Sequence, residues 1–387
     1  MNINIQIIFS LISNVLFDTK IDEETRKETI EQIKDVYGLA KYHDVSHLVS
    51  YAIVKNEIEF ADAELYKKLK KRHAIAALRY ETANYDFCEL TELFEKEKIP
   101  FIPLKGAVMR DYYPEPWMRT SCDIDVLVRE EDLDNAIALL TEKCGYTFNE
   151  KGTHDVSLFS PNETHVELHF KLSEDLYNND AGGLISQVWD YASLKDGFEY
   201  WYVLAEEFFY LYHVYHMAKH FEVAGCGIKP FVDLYILDKQ VPHDERTRTA
   251  LLKKSGLLRF TECCRRMNEC WFEGAEMDKT MRSMQAYVVT GGTYGNKSNG
   301  VAMRQTKSGG KIKYIFERLF LPYDMLKVHY PVLNKHKYLT PVFEVVRWFK
   351  LLSPKTFKQS KREVEYGSNV PDSKSDKLSD LIKEVGL

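Results

Sequence analysis

The chain has 387 residues, 45% of them hydrophobic, which is enough for a sizeable core and for two or three domains. Its 52 basic and 58 acidic side chains leave a net charge of −6, which excludes a generally basic nucleic-acid-binding surface but not a local basic groove. The seven cysteines (Cys88, Cys122, Cys144, Cys226, Cys263, Cys264 and Cys270) are odd in number and form no CxxC pair. They predict reduced thiols in a cytoplasmic protein rather than a disulfide scaffold or a zinc site.

The N-terminal run MNINIQIIFSLISNVLF is apolar but carries no basic leader and no small-residue cleavage site. Asn and Gln interrupt it too early for a membrane span, so an amphipathic first helix is expected, and no later segment approaches a transmembrane length. Residues 1–98 read as helical. Asp22 is placed to cap one helix, Ala61 to Lys98 has long helical periodicity, and Pro100 ends it. Phe101 to Leu104 reads as a strand, and Gly106 opens a short helix toward Tyr113 that Pro114 and Pro116 break. Asp123 to Val128 reads as a second strand. Glu130 to Cys144 reads as an amphipathic helix with Leu133, Ile137, Leu140 and Cys144 on one side, stopped by Gly145.

Asp155 to Phe159 and Thr164 to Phe170 alternate as strands around the turn Ser160-Pro161-Asn162-Glu163. Residues 99–172 are therefore expected to carry a small mixed sheet. Residues 173–290 return to helices that complete a cleft, with an aromatic, buried stretch from Glu206 to Phe221. The Gly-, Ser- and Asn-rich residues 291–310 predict a loop. Helices are expected again over 311–357, broken at Pro322, Pro331 and Pro341, with Lys311, Lys313, Arg318 and Lys327 on a solvated face. Residues 358–376 are polar and expected to be mobile. A last short helix is expected over 377–385. The predicted class is α+β, with helical regions on both sides of the small sheet.

The chemistry concentrates in LKGAVMRDYYPEPWMRTSCDIDVLV. In a strand, residues two apart share a face, so Asp123 and Asp125 present two carboxylates side by side while Ile124 turns to the core. Such a pair repels unless a cation neutralises it, and Mg²⁺ is the hard cation that takes carboxylate oxygens. Glu167 in His165-Val166-Glu167-Leu168-His169 is the third carboxylate, provided its strand lies beside the first. Two metals about 3.5–4 Å apart then suit transfer at phosphorus. Gly106 at a strand end, Lys105 beside it and Arg119 supply donors for a triphosphate. His165 and His169 read as hydrogen-bonded strand histidines flanking the site. His213, His216, Met217 and His220 recur at helical spacing and read as a packed helix face; Lys219 and His220 are candidates to line the nucleotide cleft. Lys229 and Asp233 in GIKPFVDL face the cleft or begin an ordinary helix. Gly295-Asn296-Lys297-Ser298 lacks the glycine a phosphate loop needs before its lysine.

A strand, a glycine with a small neighbour, a helix, an Asp-x-Asp strand and a later lone carboxylate resemble the DNA polymerase β-type nucleotidyltransferase superfamily. With VELHF, HMAKH and GIKPFVDL added, the chain resembles more closely a bacterial family of uncharacterised nucleotidyltransferases. The resemblance implies that Asp123 and Asp125 hold two Mg²⁺ ions and that Glu167 assists one of them and activates an acceptor hydroxyl. Gly106 and Ala107 stand where the family's glycine pair meets the NTP triphosphate. Ala107 replaces the usual Ser or Gly, and the gap from Gly106 to Asp123 is longer than usual. The expected activity is Mg²⁺-dependent transfer of a nucleoside monophosphate from an NTP to a small-molecule, glycan or protein acceptor, with nucleic acid disfavoured by the net charge. A nucleotide-binding scaffold that has lost turnover, or a metal-dependent phosphohydrolase, are the competing expectations.

Overall fold

The computed structural model describes residues 2–173, 180–293, 295–308, 313, 316, 320–321, 323–351 and 372–387. Four helices come first: α1 (Ile3–Phe17), α2 (Glu23–Tyr42), α3 (Ser46–Lys55) and α4 (Ala63–Lys96). Asp22 caps α2 by accepting the Thr25 N–H at 2.7 Å, as its position predicts. The first helix is not amphipathic. Ile5, Ile7, Ile8, Phe9, Leu11 and Ile12 are all buried, so helices cover it on most sides. Phe9 stacks on Trp271 with ring centroids 4.6 Å apart.

A five-stranded sheet follows, built from β1 (Phe101–Pro103), β2 (Asp123–Val128), β3 (Thr147–Lys151), β4 (Asp155–Phe159) and β5 (His165–His169). Its order is β1-β2-β5-β4-β3. Only β2 and β5 run parallel, with Asp123 opposite His165 and Asp125 opposite Glu167. The predicted alternation holds in both strands. Ile124, Val126, Val128, Val166 and Leu168 face a core shared with Leu90 and Phe94 of α4. Their neighbours at odd positions face the other way. β3 escapes sequence reading because all five of its residues are exposed and carry no apolar alternation.

Between β1 and β2 lie α5 (Gly106–Met109) and two 3-10 turns, Arg110–Tyr112 and Pro116–Met118. The expected helix from Glu130 to Cys144 is instead a succession. A 3-10 turn leads into α6 (Leu133–Ala138), and a π-helical turn spans Leu139–Lys143. Gly145 then stops it at φ +70°.

Residues 173–290 are not purely helical. After α7 (Asp180–Ile185) comes a hairpin of β6 (Ala192–Leu194) and β7 (Tyr202–Leu204), strands too short to declare themselves by periodicity. The Glu95 carboxylate of α4 accepts the backbone N–H groups of Glu199, Tyr200 and Trp201 at 2.6, 3.0 and 3.1 Å. This draws the hairpin against the β1 edge, where Phe101 N–H donates to Tyr200 O at 3.0 Å. Helices α8 (Glu206–Val223), α9 (Lys229–Lys239), α10 (Glu245–Lys254), α11 (Leu258–Phe272) and α12 (Lys279–Gly291) then form the larger core.

The expected loop over 291–310 contains a helix, α13 (Lys297–Lys307). Asn296 caps it, accepting the Asn299 N–H at 2.7 Å, and Val301, Ala302 and Met303 are buried. Packing and a cap override the composition. Further on, helices cover Tyr323–His329 and Thr340–Leu351. The run is interrupted where expected: one helix ends at His329, just before Pro331, and Pro331 and Pro341 each sit in the first turn of the next helical segment, where the missing N–H costs nothing. Pro322, Lys311, Arg318 and residues 352–371 lie outside the described residues. The last helix begins earlier than expected and spans Asp372–Val385.

One polar knot ties α4 to the sheet. Asp86, 1% exposed, accepts from Ser160 Oγ at 2.8 Å, from Asn162 Nδ2 at 2.7 Å and from Thr164 Oγ1, all in the β4–β5 turn. Asp86→Ala takes this acceptor from the buried Ser160 hydroxyl and the half-buried Thr164 hydroxyl. It is expected to lower stability by about 3 kcal/mol, read as a shifted urea midpoint. A midpoint unchanged from wild type would contradict this account of the turn.

Candidate functional site

The strand β2 delivers Asp123 and Asp125 to the face opposite its apolar residues, and the parallel neighbour β5 delivers His165, Glu167 and His169 to the same face. This face floors a cavity of about 380 Å³, roofed by α8 and by the start of α9. Two overlapping groups of ligand atoms lie there, each within 4.8 Å: Asp123, His165 and Glu167, and Asp125, Glu167 and His169. Glu167 belongs to both.

Charge governs the site. Burial and the like charge of Asp125 push the Asp123 carboxyl up to about 6. Burial alone would also raise Asp125, but Lys105 and His169 overcome it and hold Asp125 well below the usual carboxylate range. Lys105 Nζ donates to Asp125 Oδ1 at 2.8 Å, and His169 Nε2 lies 2.8 Å from the same oxygen. Burial would lower the His169 pKa, yet its bonds to Asp125 and Glu167 raise it. His165 Nε2 sits 2.8 Å from Ser157 Oγ of β4. Both strand histidines are thus hydrogen-bonded, as expected, and also stand among the carboxylates.

The approach to α5 is shaped by close packing. Lys105 occupies φ +43° and ψ −115°, an uncommon conformation for a residue with a side chain, and from there its ammonium meets Asp125. A Cβ on Gly106 would come within 2.9 Å of Ser121 Cβ, so only glycine fits against that strip. Ala107 is buried, and its N–H already donates to Leu104 O at 3.1 Å. Among the described residues the Gly106 N–H has no such backbone acceptor.

The other cations of the expected site are differently disposed. Arg119 lines the cavity, but its Nε is held by both Asp233 oxygens at 2.7 and 3.0 Å, and Tyr113 Oη donates to the same carboxylate at 2.7 Å. Lys229 also lines the cavity and donates to Asp44 Oδ2 and to Thr120 O, the latter at 3.1 Å. Lys229 and Asp233, four apart on α9, thereby clamp the strip before β2 from one side. Lys219 lies on the cavity wall, half-buried.

The histidine stripe of α8 is more than a packed face. His213, His216 and His220 all line the cavity. His216 and His220 put their Nε2 atoms 3.2 Å apart, and His213 Nε2 lies 2.9 Å from Pro230 O. Burial, with the charge of Lys105, holds His216 neutral by pushing its pKa well down. Sequence reasoning did not single out Ser121, Asp44 or Tyr212. Ser121 donates to Asp123 O at 3.0 Å and fills the space beside Gly106. A strand-flanking serine carries no signal of such a role, and Asp44 is 185 residues from its lysine.

A family model described as an uncharacterised nucleotidyltransferase matches residues 30–273, well over half of the 387. No curated protein and no solved structure matches the chain. The matched span runs from α2 to the end of α11 and so contains the sheet, the carboxylate face and both helices over the cavity. The chain belongs to this family of uncharacterised nucleotidyltransferases.

Proposed function

We propose that the protein transfers a nucleoside monophosphate from an NTP to an acceptor hydroxyl in a reaction that requires Mg²⁺. The observation that carries this reading is the parallel pairing of β2 with β5, which sets Asp123, Asp125 and Glu167 on one face beneath a cavity. The donor set fits a divalent cation. Three carboxylates share a semi-enclosed face, and one of them is pushed up in pKa partly because its neighbour is charged. Asp123, Asp125 and Glu167 would hold Mg²⁺, which when bound neutralises charge on the phosphates.

The remaining work falls to the chain itself. The Gly106 N–H and the Lys105 ammonium bind the triphosphate, and Lys219 closes the cavity from α8. Glu167 takes the proton of the acceptor hydroxyl, whose oxygen attacks the α-phosphorus as the bond to pyrophosphate breaks. His169 orients Asp125, and His165, anchored on Ser157, keeps Glu167 flanked on its other side. Arg119 and Lys229, each 13% exposed, hold the strip 119–122 in place through Asp233 and Asp44 rather than moving with the substrate. Positioning of this kind, together with charge neutralisation, supplies most of the rate in phosphoryl chemistry.

Lys105 on Asp125 also supports a second reading, in which an ammonium permanently takes the place of a metal and the protein binds nucleotide without turnover. One assay separates the two. Each labelled NTP is incubated with Mg²⁺ and a metabolite extract, and pyrophosphate release is measured. Wild type is expected to release pyrophosphate, and Asp123→Asn or Asp125→Asn to lower the rate by about 10³-fold or more. Nucleotide binding with equal, background release from all three proteins would favour the scaffold.

The raised Asp123 pKa has its own signature. In the cation-free protein its folded value of about 6 exceeds the ordinary 3.8, so the stability it contributes is complete below about pH 4 and lost as the pH rises through 6. Asp123→Asn removes the repulsion. It is expected to stabilise the cation-free protein by about 1–2 kcal/mol at pH 8 and to have little effect at pH 4.5, measured by urea unfolding. Equal effects at both pH values would show that like-charge crowding is not what strains the site.

A further inference from the structure

A second, smaller cleft of about 60 Å³ lies between α4 and the strip 119–122. Arg119, Thr120, Ser121 and Cys122 border both it and the larger cavity. Its other wall is one face of α4, where Arg72, Ala76, Arg79 and Ala83 recur at spacings of three and four. The alanines leave room between the two arginines. Arg110 closes the floor.

The charge balance of this cleft is unusual. Arg110 is 5% exposed, yet among the described residues neither it nor Arg72 nor Arg79 makes a salt bridge. Arg110 Nε donates to Gly106 O at 2.9 Å and one Nη to Ser121 Oγ at 3.1 Å, both neutral acceptors. Its guanidinium lies 5.5 Å from the centre of the Tyr80 ring. Arg72 donates to Ser46 Oγ at 3.0 Å, again a neutral partner. Asp44 is the sole carboxylate among the lining residues, and Lys229 and Thr120 occupy it. Arg119 is satisfied by Asp233. His47 adds no charge, since burial pushes its pKa down to about 4. Three arginines therefore line one cleft without a salt bridge among the described residues. Only Arg110 is buried, and the carboxylates that act on it, Asp111 and Asp123, do so without a hydrogen bond to it.

The planar fork of arginine matches the oxygens of a phosphate or carboxylate. The cleft is sized for one such group and not for a whole nucleotide. Lys105 and the carboxylate face lie on the other side of the strip. We propose that this cleft is an oxyanion subsite, occupied by a phosphate or carboxylate group of the acceptor molecule. The word acceptor rests on the nucleotidyl-transfer reading above; the oxyanion site itself does not. An acceptor held there by its charged group presents its hydroxyl across the strip to Asp123 and Glu167, which makes the acceptor class an acidic metabolite, such as a phosphorylated or carboxylated sugar.

The test uses the full chain and inorganic phosphate, titrated by calorimetry in oxyanion-free buffer without metal or NTP. Wild type is expected to bind one phosphate. Arg79→Gln, at an exposed position that does not support the fold, is expected to weaken binding about tenfold, and Arg72→Gln/Arg79→Gln to abolish it. Lys67→Gln, an exposed change on α4 outside both clefts, is expected to leave phosphate binding within about twofold of wild type. Far-ultraviolet circular dichroism checks that each variant is folded. No phosphate binding by wild type, or loss with Lys67→Gln but not with Arg79→Gln, would overturn the subsite. The source of the anion is read by adding a non-hydrolysable NTP with Mg²⁺. Retained phosphate supports the acceptor assignment, whereas displacement gives the cleft to the triphosphate and overturns it. Because the phosphate titration involves no turnover, its failure is separate from a failure of nucleotidyl transfer.

Discussion

Like charge held close together is the constraint around which this molecule is arranged. Asp123, Asp125 and Glu167 share one face of two adjacent strands, and in water such groups would separate. Here the sheet forbids it, because shifting either strand by one residue would turn Ile124 or Val166 out of the core. The apolar side of the sheet therefore fixes the geometry of the polar side. The protein answers the repulsion locally with Lys105 and His169 on Asp125, and leaves Asp123 as the carboxylate that most resists ionisation.

A second layer of charge keeps the frame rigid. Arg119 with Asp233, and Lys229 with Asp44, join the strip before β2 to α9 and to the turn between α2 and α3. Arg248, fully buried, likewise bridges Glu206 of α8 to Asp238 of α9. These pairs lie near the cavity or at the base of its roofing helices. Their value is in fixing direction rather than in net stability, since burying both members of a pair offsets much of their attraction.

The carboxylate face was legible in the sequence because it rests on the shortest period in protein structure. DIDVLV and HVELH each alternate, so which residues share a face follows directly. What the alternation could not say is that β5 lies beside β2 and parallel to it, since pairing partners are set by the whole sheet. The roles of Arg119 and Lys229 were hidden for the same reason: their carboxylates come from distant helices and turns. β3 was missed because none of its side chains is buried, and α13 because glycine and asparagine content was weighed above a cap and three apolar residues. The arginine stripe of α4 is visible as a spacing. That it lines one cleft with Arg110 is a fact of tertiary structure alone.

The packing of α1 bears on where this molecule can be cut. The family match begins at residue 30, inside α2, so the first helix lies outside the shared span. Yet Ile5, Ile8 and Phe9 are wholly enclosed, and the Phe9 ring covers Trp271, only two residues before the match ends. The evolutionary unit and the mechanical unit therefore do not coincide. A chain trimmed to the shared residues would keep every group of the candidate site and lose the wedge that seals its helical half, exposing an apolar trough to solvent.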